Sequence, residues 1–425
     1  MRRILLALIS LMLVASLAAC SAPSASADEV RSDEPREEQP AVATGDIQSL
    51  VDGNNAFAFD LYHQAIDGSE NLFYSPYSIS IALGMTYAGA RGETENQMAQ
   101  VMHYNLPHAS LHPSFNYVDQ ALNSRGEGAQ GKDGEGFRLN VVNAIWGQKD
   151  YSFLQEYLDT LAMNYGAGLR VLDFQNAAEE SRLAINGWVE DQTEDRIKDL
   201  IPEGGVNSMT RLVLTNAVYF NAAWASQFEE GMTSPGEFHS LDGGVVHVPM
   251  MRQTDGFRYA ETAGLKAVEL PYDGHELSMV LLMPDSDRFG EFEASLSSTV
   301  VEDAIGALQS TQVALTMPKF KLESSLSLNQ ALVELGMTDA FAPGMADFSG
   351  MDGTKDLFIS DVIHKSFVEV DEAGTEAAAA TAVVMEATSA PMQPVEMTVD
   401  RPFIFLIRDI ETGAVLFVGR VMNPS

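Results

Sequence analysis

The sequence predicts a single large α+β domain, and three observations carry that reading. Apolar residues at helical spacing fill about the first hundred residues after Gly45, short runs rich in Val, Phe and Tyr follow them, and no repeat or Pro/Gly linker divides the rest of the chain. The chain has 425 residues, 46% of them apolar and 20% charged, which is enough to bury a sizeable core and too apolar for wholesale disorder. Lys and Arg number 25 against 60 Asp and Glu, a formal net charge of −35, which repels phosphate backbones and excludes nucleic acid as a partner.

The N-terminus reads as an export signal. Arg2 and Arg3 precede an apolar run from Ile4 to about Val14, and small residues follow. The run is shorter than the roughly twenty apolar residues a membrane span needs. It ends in Leu17-Ala18-Ala19-Cys20, which resembles a bacterial lipobox, and Cys20 is the only cysteine in the chain. Residues 1–20 are therefore expected to be a lipoprotein signal with Cys20 the lipidated residue, the alternative being an ordinary secretory signal with a stray thiol. A lone cysteine also excludes an intramolecular disulfide. Ser21 to Gly45, rich in Ser, Ala, Pro, Asp and Glu, is expected to be a flexible acidic tether, leaving 46–425 as the folded domain. In a cell with two membranes, Ser21 after Cys20 favours outer-membrane or cell-surface placement, facing outward, over retention at the inner membrane.

Within the domain, Leu50, Phe57 and Leu61 predict a first helix, and Ser75-Pro76 opens a second whose Ile79, Leu83 and Tyr87 share a face. Strands are predicted at Phe137–Trp146, Leu212–Phe220, Val268–Leu270, Met279–Met283 and Val313–Lys321.

The chemical motifs come to little. Gly126 to Asp133 approximates a phosphate-binding loop, but Asp133 stands where a Ser or Thr should be, and the run leads into a strand rather than a helix, so a surface loop is expected. Asp285-Ser286-Asp287 lacks the closing Glu of a calcium loop and reads as a turn. His103, His108 and His112 lie near one another, but Pro107 and Pro113 are expected to keep them off one helical face, so neither metal nor cofactor is expected. No Gly-x-Ser-x-Gly or His-Glu-x-x-His motif is present, and an enzyme is not expected.

The informative stretch is Glu372 to Pro402, where no Lys or Arg occurs before Arg401. Read with period two, Thr375, Ala377, Ala379, Thr381, Val383 and Met385 fall on one face and Glu376 and Glu386 on the other, the pattern of a strand with one buried face. Ala377 to Ala380 would equally suit a surface helix, so propensity alone leaves the segment ambivalent.

From about Ile47 to Ser425 the chain resembles the serpins. Asn71-Leu72-Phe73-Tyr74-Ser75-Pro76-Tyr77-Ser78-Ile79 is similar to the opening of that family's second helix, and Leu214 to Phe220 with Trp224 and Phe228 to its third central strand and breach. Val248-Pro249-Met250-Met251, Leu270-Pro271-Tyr272 and Leu282-Met283-Pro284 recur in order. His364-Lys365 and Val368 to Ala378 resemble the strand and hinge of the reactive loop; Pro402 to Phe405 and Phe417 to Val421 with Asn423-Pro424 resemble the closing hairpin.

The resemblance implies a three-sheet fold with about eight to nine helices and an exposed reactive loop over about 372–400. It implies a monomer that traps serine, or cysteine, proteases as acyl-enzymes by inserting the cleaved loop into its central sheet, the alternative being a non-inhibitory binding lipoprotein on the same fold. It assigns Glu372, Gly374, Thr375, Glu376, Ala377, Ala378, Ala379 and Ala380 to the hinge, Ser75, Ser78, Asn216 and His364 to the shutter, and Trp224 with Glu372 to the breach. Counting from the hinge places the scissile bond between Thr388 and Ser389, with Met385-Glu386 and Met392-Gln393 as fallbacks. The small Thr388 and the lack of basic residues point to elastase-like or subtilisin-like targets and away from trypsin.

Overall fold

A computed structural model describes residues 27–127, 138–262, 264–375 and 393–425. Among them are ten α-helices, slightly above expectation because three are short, the shortest being the single turn Ser349–Asp352. The first runs Thr44–Ala65 and buries Leu50, Phe57 and Leu61. The second, Pro76–Tyr87, is buried along its whole length; Ser75 caps it by accepting a hydrogen bond from the Ser78 amide, and Pro76 needs no partner at the first turn.

The central sheet has seven strands. In spatial order they are β1 (Asp28–Val30), β4 (Leu169–Leu172), β3 (Arg138–Gln148), β5 (Leu212–Ala223), β13 (Gly374–Thr375), β12 (Ile359–Val370) and β11 (Phe320–Ser327). Every residue of β5 is buried, because both faces are covered. On one face Leu212, Leu214, Val218 and Phe220 join the main core; on the other Val213 and Ala217 join a second cluster with Trp146, Phe174, Ile185 and Val189 beneath the helix Ala178–Gln192.

The remaining strands are β2 (Leu72–Tyr74), β6 (Ser234–His239), β7 (Val245–Thr262), β8 (Leu265–Pro271), β9 (Leu277–Pro284), β10 (Gln309–Pro318), β14 (Val395–Thr398), β15 (Phe403–Asp409) and β16 (Val415–Val421). Hydrogen bonding makes them one continuous assembly rather than two separate sheets. The cause is the length of β7, whose first part pairs with β6, its middle with β10 and its end with β8, so the expected second and third sheets are joined through a single strand.

Three local expectations need correction. Val313–Lys321 is not one strand: β10 ends at Pro318 and β11 begins at Phe320, Lys319 carrying the chain from one sheet to the other. The helix His108–Ser124 runs through Pro113 and brings His108 and His112 onto one face, Nδ1 to Nε2 at 3.0 Å; the carbonyl that Pro113 leaves unbonded, on Ala109, is in the exposed first turn. His103 is held elsewhere, against Asp60.

The third correction concerns the tether. From Ala27 on it is laid against the domain. Asp28–Val30 pairs antiparallel with β4, buried Ser32 donates to Asp159 at 2.5 Å, and Arg36 bonds Asn116 at 2.7 Å and Asp119 at 2.6 Å. The hold is almost wholly polar, so no apolar run announces it. Cys20 and the signal lie outside the described residues, as does most of the Gly126–Asp133 loop; Asp285 to Arg288 forms the expected turn.

Candidate functional site

The site is the seam of the central sheet between β5 and β12. Over most of their length these strands pair directly and in parallel, from Ile359 opposite Leu212 to Phe367 opposite Tyr219. Above that they part, and Gly374 and Thr375 sit between them, antiparallel to both, with Gly374 opposite Ala223 and Thr375 opposite Ala222 and Val370. The first residues of the hinge thus already occupy the sheet as a short strand. Glycine is required at 374 because a Cβ there would overlap the Ala222 carbonyl oxygen. Thr375 is fully buried, its hydroxyl 2.9 Å from the Tyr272 hydroxyl.

Around this entry point Trp224 is fastened from both ends. Its amide donates to the Ala373 carbonyl at 2.9 Å, its indole Nε1 donates to the Asp371 carbonyl at 3.0 Å, and the ring stacks on Tyr272 with centroids 4.7 Å apart. Glu372 is 6% exposed and lies beside Lys319, with Nζ to Oε2 at 2.6 Å, while Thr233 donates to its other oxygen at 2.6 Å. Burial alone would raise the Glu372 pKa, but these two partners outweigh it and hold the carboxyl below its ordinary range. The Phe228 amide closes the arrangement by donating to the Glu372 carbonyl at 2.7 Å.

Some six residues lower, the seam is held by a row of polar side chains inside an apolar sheet. Asn143 on β3, Asn216 on β5 and His364 on β12 are direct cross-strand neighbours. Asn216 bonds all the way across: its amide nitrogen donates to Asn143 and Ser78, and its oxygen meets His364 Nδ1. His364 Nε2 accepts the Ser75 amide proton at 3.2 Å, so Nδ1 must carry the hydrogen and the ring is neutral. Burial pushes its pKa down to about 3. Ser75 itself donates to the Leu416 carbonyl at 2.7 Å, tying the cluster to β16. The four predicted shutter residues therefore do come together, and Asn143 is a fifth member that the sequence reading missed. Its signal was a single amide interrupting Val141-Val142-Asn143-Ala144-Ile145.

Lys319, Thr233, Tyr272 and Phe228 likewise complete the breach around the predicted Trp224 and Glu372. Glu376, Ala377 to Ala380, Met385, Thr388, Ser389 and Met392 lie outside the described residues. Among the described residues no group of three His, Cys, Asp or Glu side chains forms a metal-binding cluster.

The comparisons agree with this architecture. The chain is 42% identical over 384 residues to an uncharacterized serpin-like protein of Thermococcus kodakarensis, covering 90% of this chain and 87% of that one. It is 39% identical over 390 residues to the human leukocyte elastase inhibitor, covering 89% of this chain and all of that one. Among solved structures, the thermophilic serpin tengpin in its native state superposes with a TM-score of 0.80 at 28% identity, covering 94% of this chain and 100% of that one. The Serpin (serine protease inhibitor) family model matches residues 52–424, and the chain belongs to that family.

Proposed function

We propose that this protein is an irreversible inhibitor of serine proteases, and secondarily of cysteine proteases, acting by insertion of its cleaved reactive loop along the β5–β12 seam. The observation that carries the reading is the register already set at the hinge. With Thr375 opposite Ala222, an antiparallel continuation puts Ala377 level with Phe220, Ala379 with Val218, Thr381 with Asn216, Val383 with Leu214 and Met385 with Leu212. All five strand partners except Asn216 belong to the main core, and the residues that would meet them are small or apolar. The one hydroxyl, Thr381, falls where the polar row would otherwise be parted.

In the proposed reaction the protease's serine oxygen attacks the Thr388 carbonyl carbon, the bond to Ser389 breaks, and the amine leaves with a proton supplied by the protease's own histidine. An ester to Thr388 remains. Insertion then draws the enzyme along the sheet before water can complete hydrolysis. Some ten new ladder hydrogen bonds at a net 0.5–1.5 kcal/mol each, with the apolar burial, give a driving force on the order of ten kcal/mol. The small Thr388 and the absence of Lys and Arg from Ala373 to Asp400 favour elastase-like or subtilisin-like targets. Ala379→Arg tests the mechanism, because residue 375 is already seated in the sheet whereas residue 379 has still to enter it. A cation stranded beneath the sheet should slow insertion enough that an elastase cleaves the loop and escapes, and undiminished inhibition would refute insertion.

The same proposal places the protein on an outward-facing membrane surface through lipid on Cys20. With Ala27 already docked, seven peptide steps at about 3.5 Å each allow a reach of roughly 25 Å, far shorter than a tether running free to Gly45.

A further inference from the structure

The segment that joins β5 to β6 leaves a cavity between itself and the strands beside it. It is fastened to Glu372 at Phe228 and Thr233, and the Gln253 side-chain amide donates to its Ser226 carbonyl at 3.2 Å. β6 pairs with β7 only from Ser234, opposite Met250, so the attachment at the hinge carries residues 229–232 off the ladder. Between these residues and the β7–β10 pair lies a cavity of about 480 Å³, within the range of small-molecule sites.

The floor of the cavity follows from the strand register. Arg252 is opposite Thr316 and Thr254 opposite Ala314, so these four side chains share one face of the two strands. Gln227, Glu229 and Met232 make the facing wall, and Met232, 54% exposed, brings an apolar surface to the lip. Acidic residues outnumber basic ones 60 to 25 in this chain, yet Arg252 has claimed none of them. Neither its guanidinium nor the Glu229 carboxylate has an ion-pair or hydrogen-bond partner among the described residues, and the two do not meet each other. An unpaired cation and an unpaired anion, set apart over a floor of hydroxyls and a methyl group, are complementary to a zwitterion with an apolar body.

We propose that this cavity binds short apolar peptides whose two termini are free. The peptide carboxylate pairs with Arg252, a fork that suits it, the α-ammonium pairs with Glu229, and an apolar side chain covers Met232 and Ala314. Such peptides are what proteolysis leaves behind. On the inhibitory reading above, the segment that clamps the hinge would thus carry a site for the products of the activity being restrained; the site itself does not depend on that reading.

The test is calorimetric titration of the intact protein with leucyl-leucine and with leucyl-alanyl-leucine, which differ in the distance between their termini. At the binding typical per non-hydrogen atom, a ligand with roughly seventeen such atoms should show a Kd of about 0.2 mM. Acetylating the amine or amidating the carboxylate should weaken binding about tenfold or more. Arg252→Gln and Glu229→Gln should each do the same, and the fold should survive both because neither side chain has a partner among the described residues. Failure of both peptides to bind the wild-type protein overturns the proposal. So does binding that survives capping of either terminus or either substitution. No protease enters the titration, so the inhibitory mechanism stands or falls separately.

Discussion

Acid should destabilise this protein by an amount that can be worked from two buried histidines, one of them at the seam. His364 and His112 are both buried, and desolvation holds each near a pKa of about 3; for His112 the neighbouring His108 adds to the effect. In the unfolded chain each would bind its proton near pH 6.5. The unfolded state therefore takes up protons first as pH falls. The stability these residues contribute is fully present above about pH 6.5, declines below it and is exhausted only near pH 3. At pH 5 each costs about 1.5 pH units at 1.36 kcal/mol per unit, or about 2 kcal/mol, and the pair about 4 kcal/mol. That is a large part of the 5–15 kcal/mol typical of a domain. The window from pH 7 to 5 lies above the ordinary carboxylate range, so Asp and Glu contribute little to it. The local reason is specific. A proton on His364 Nε2 would face the Ser75 N–H that this nitrogen now accepts, setting donor against donor inside the sheet. The assay is the denaturant midpoint of wild type and His364→Gln between pH 7 and 5. Removing one of the two histidines should halve the acid loss, to about 2 kcal/mol, whatever the variant's stability at pH 7. An acid loss in His364→Gln equal to that of wild type would refute the assignment of the effect to the seam.

Further outcomes follow from the same geometry. Gly374→Ala should unseat the hinge by overlap with the Ala222 carbonyl, destabilising the native state by about 1–3 kcal/mol and raising the number of inhibitor molecules consumed per elastase trapped. Mass spectrometry of the fragment released on complex formation should give a new N-terminus at Ser389; one at Glu386 or Gln393 would move the bait to Met385 or Met392. Cys20→Ala should shift the exported protein from the membrane to the soluble fraction, and unchanged partitioning would exclude a lipid anchor.

What could be read from the sequence was whatever lies in contiguous runs. Leu214 to Phe220 reads as a buried strand because both faces of β5 are covered, and Ser75-Pro76 reads as a helix start because cap and first turn are adjacent in the chain. The resemblance supplied Ser78, Asn216 and His364, although nothing local to any of them indicates a cluster. Asn143, Lys319 and Thr233 escaped because their partners lie 65 residues or more away for Asn143, 53 for Lys319 and 139 for Thr233. The docking of the N-terminal segment was hidden for a different reason. Ser32 and Arg36 hold it by hydrogen bonds to Asp159, Asn116 and Asp119, and a composition so polar reads as unfolded when only burial of apolar surface is counted. Pro113 misled in the opposite sense, because a proline near an exposed helix start is less disruptive than one in a helix interior.

The seating of Gly374 and Thr375 changes the kind of event that trapping would be. A free strand entering a closed sheet must first nucleate, bringing two ends together before any contact rewards it. Here the first rung exists before the protease arrives, so entry would proceed as a zipper closing from a fixed end. It would race hydrolysis one residue pair at a time. In a zipper the slowest tooth governs. One bulky or charged side chain anywhere among 377, 379, 381, 383 and 385 would hold up every residue behind it, so inhibition depends on the least accommodating residue of that face rather than on the average of the loop.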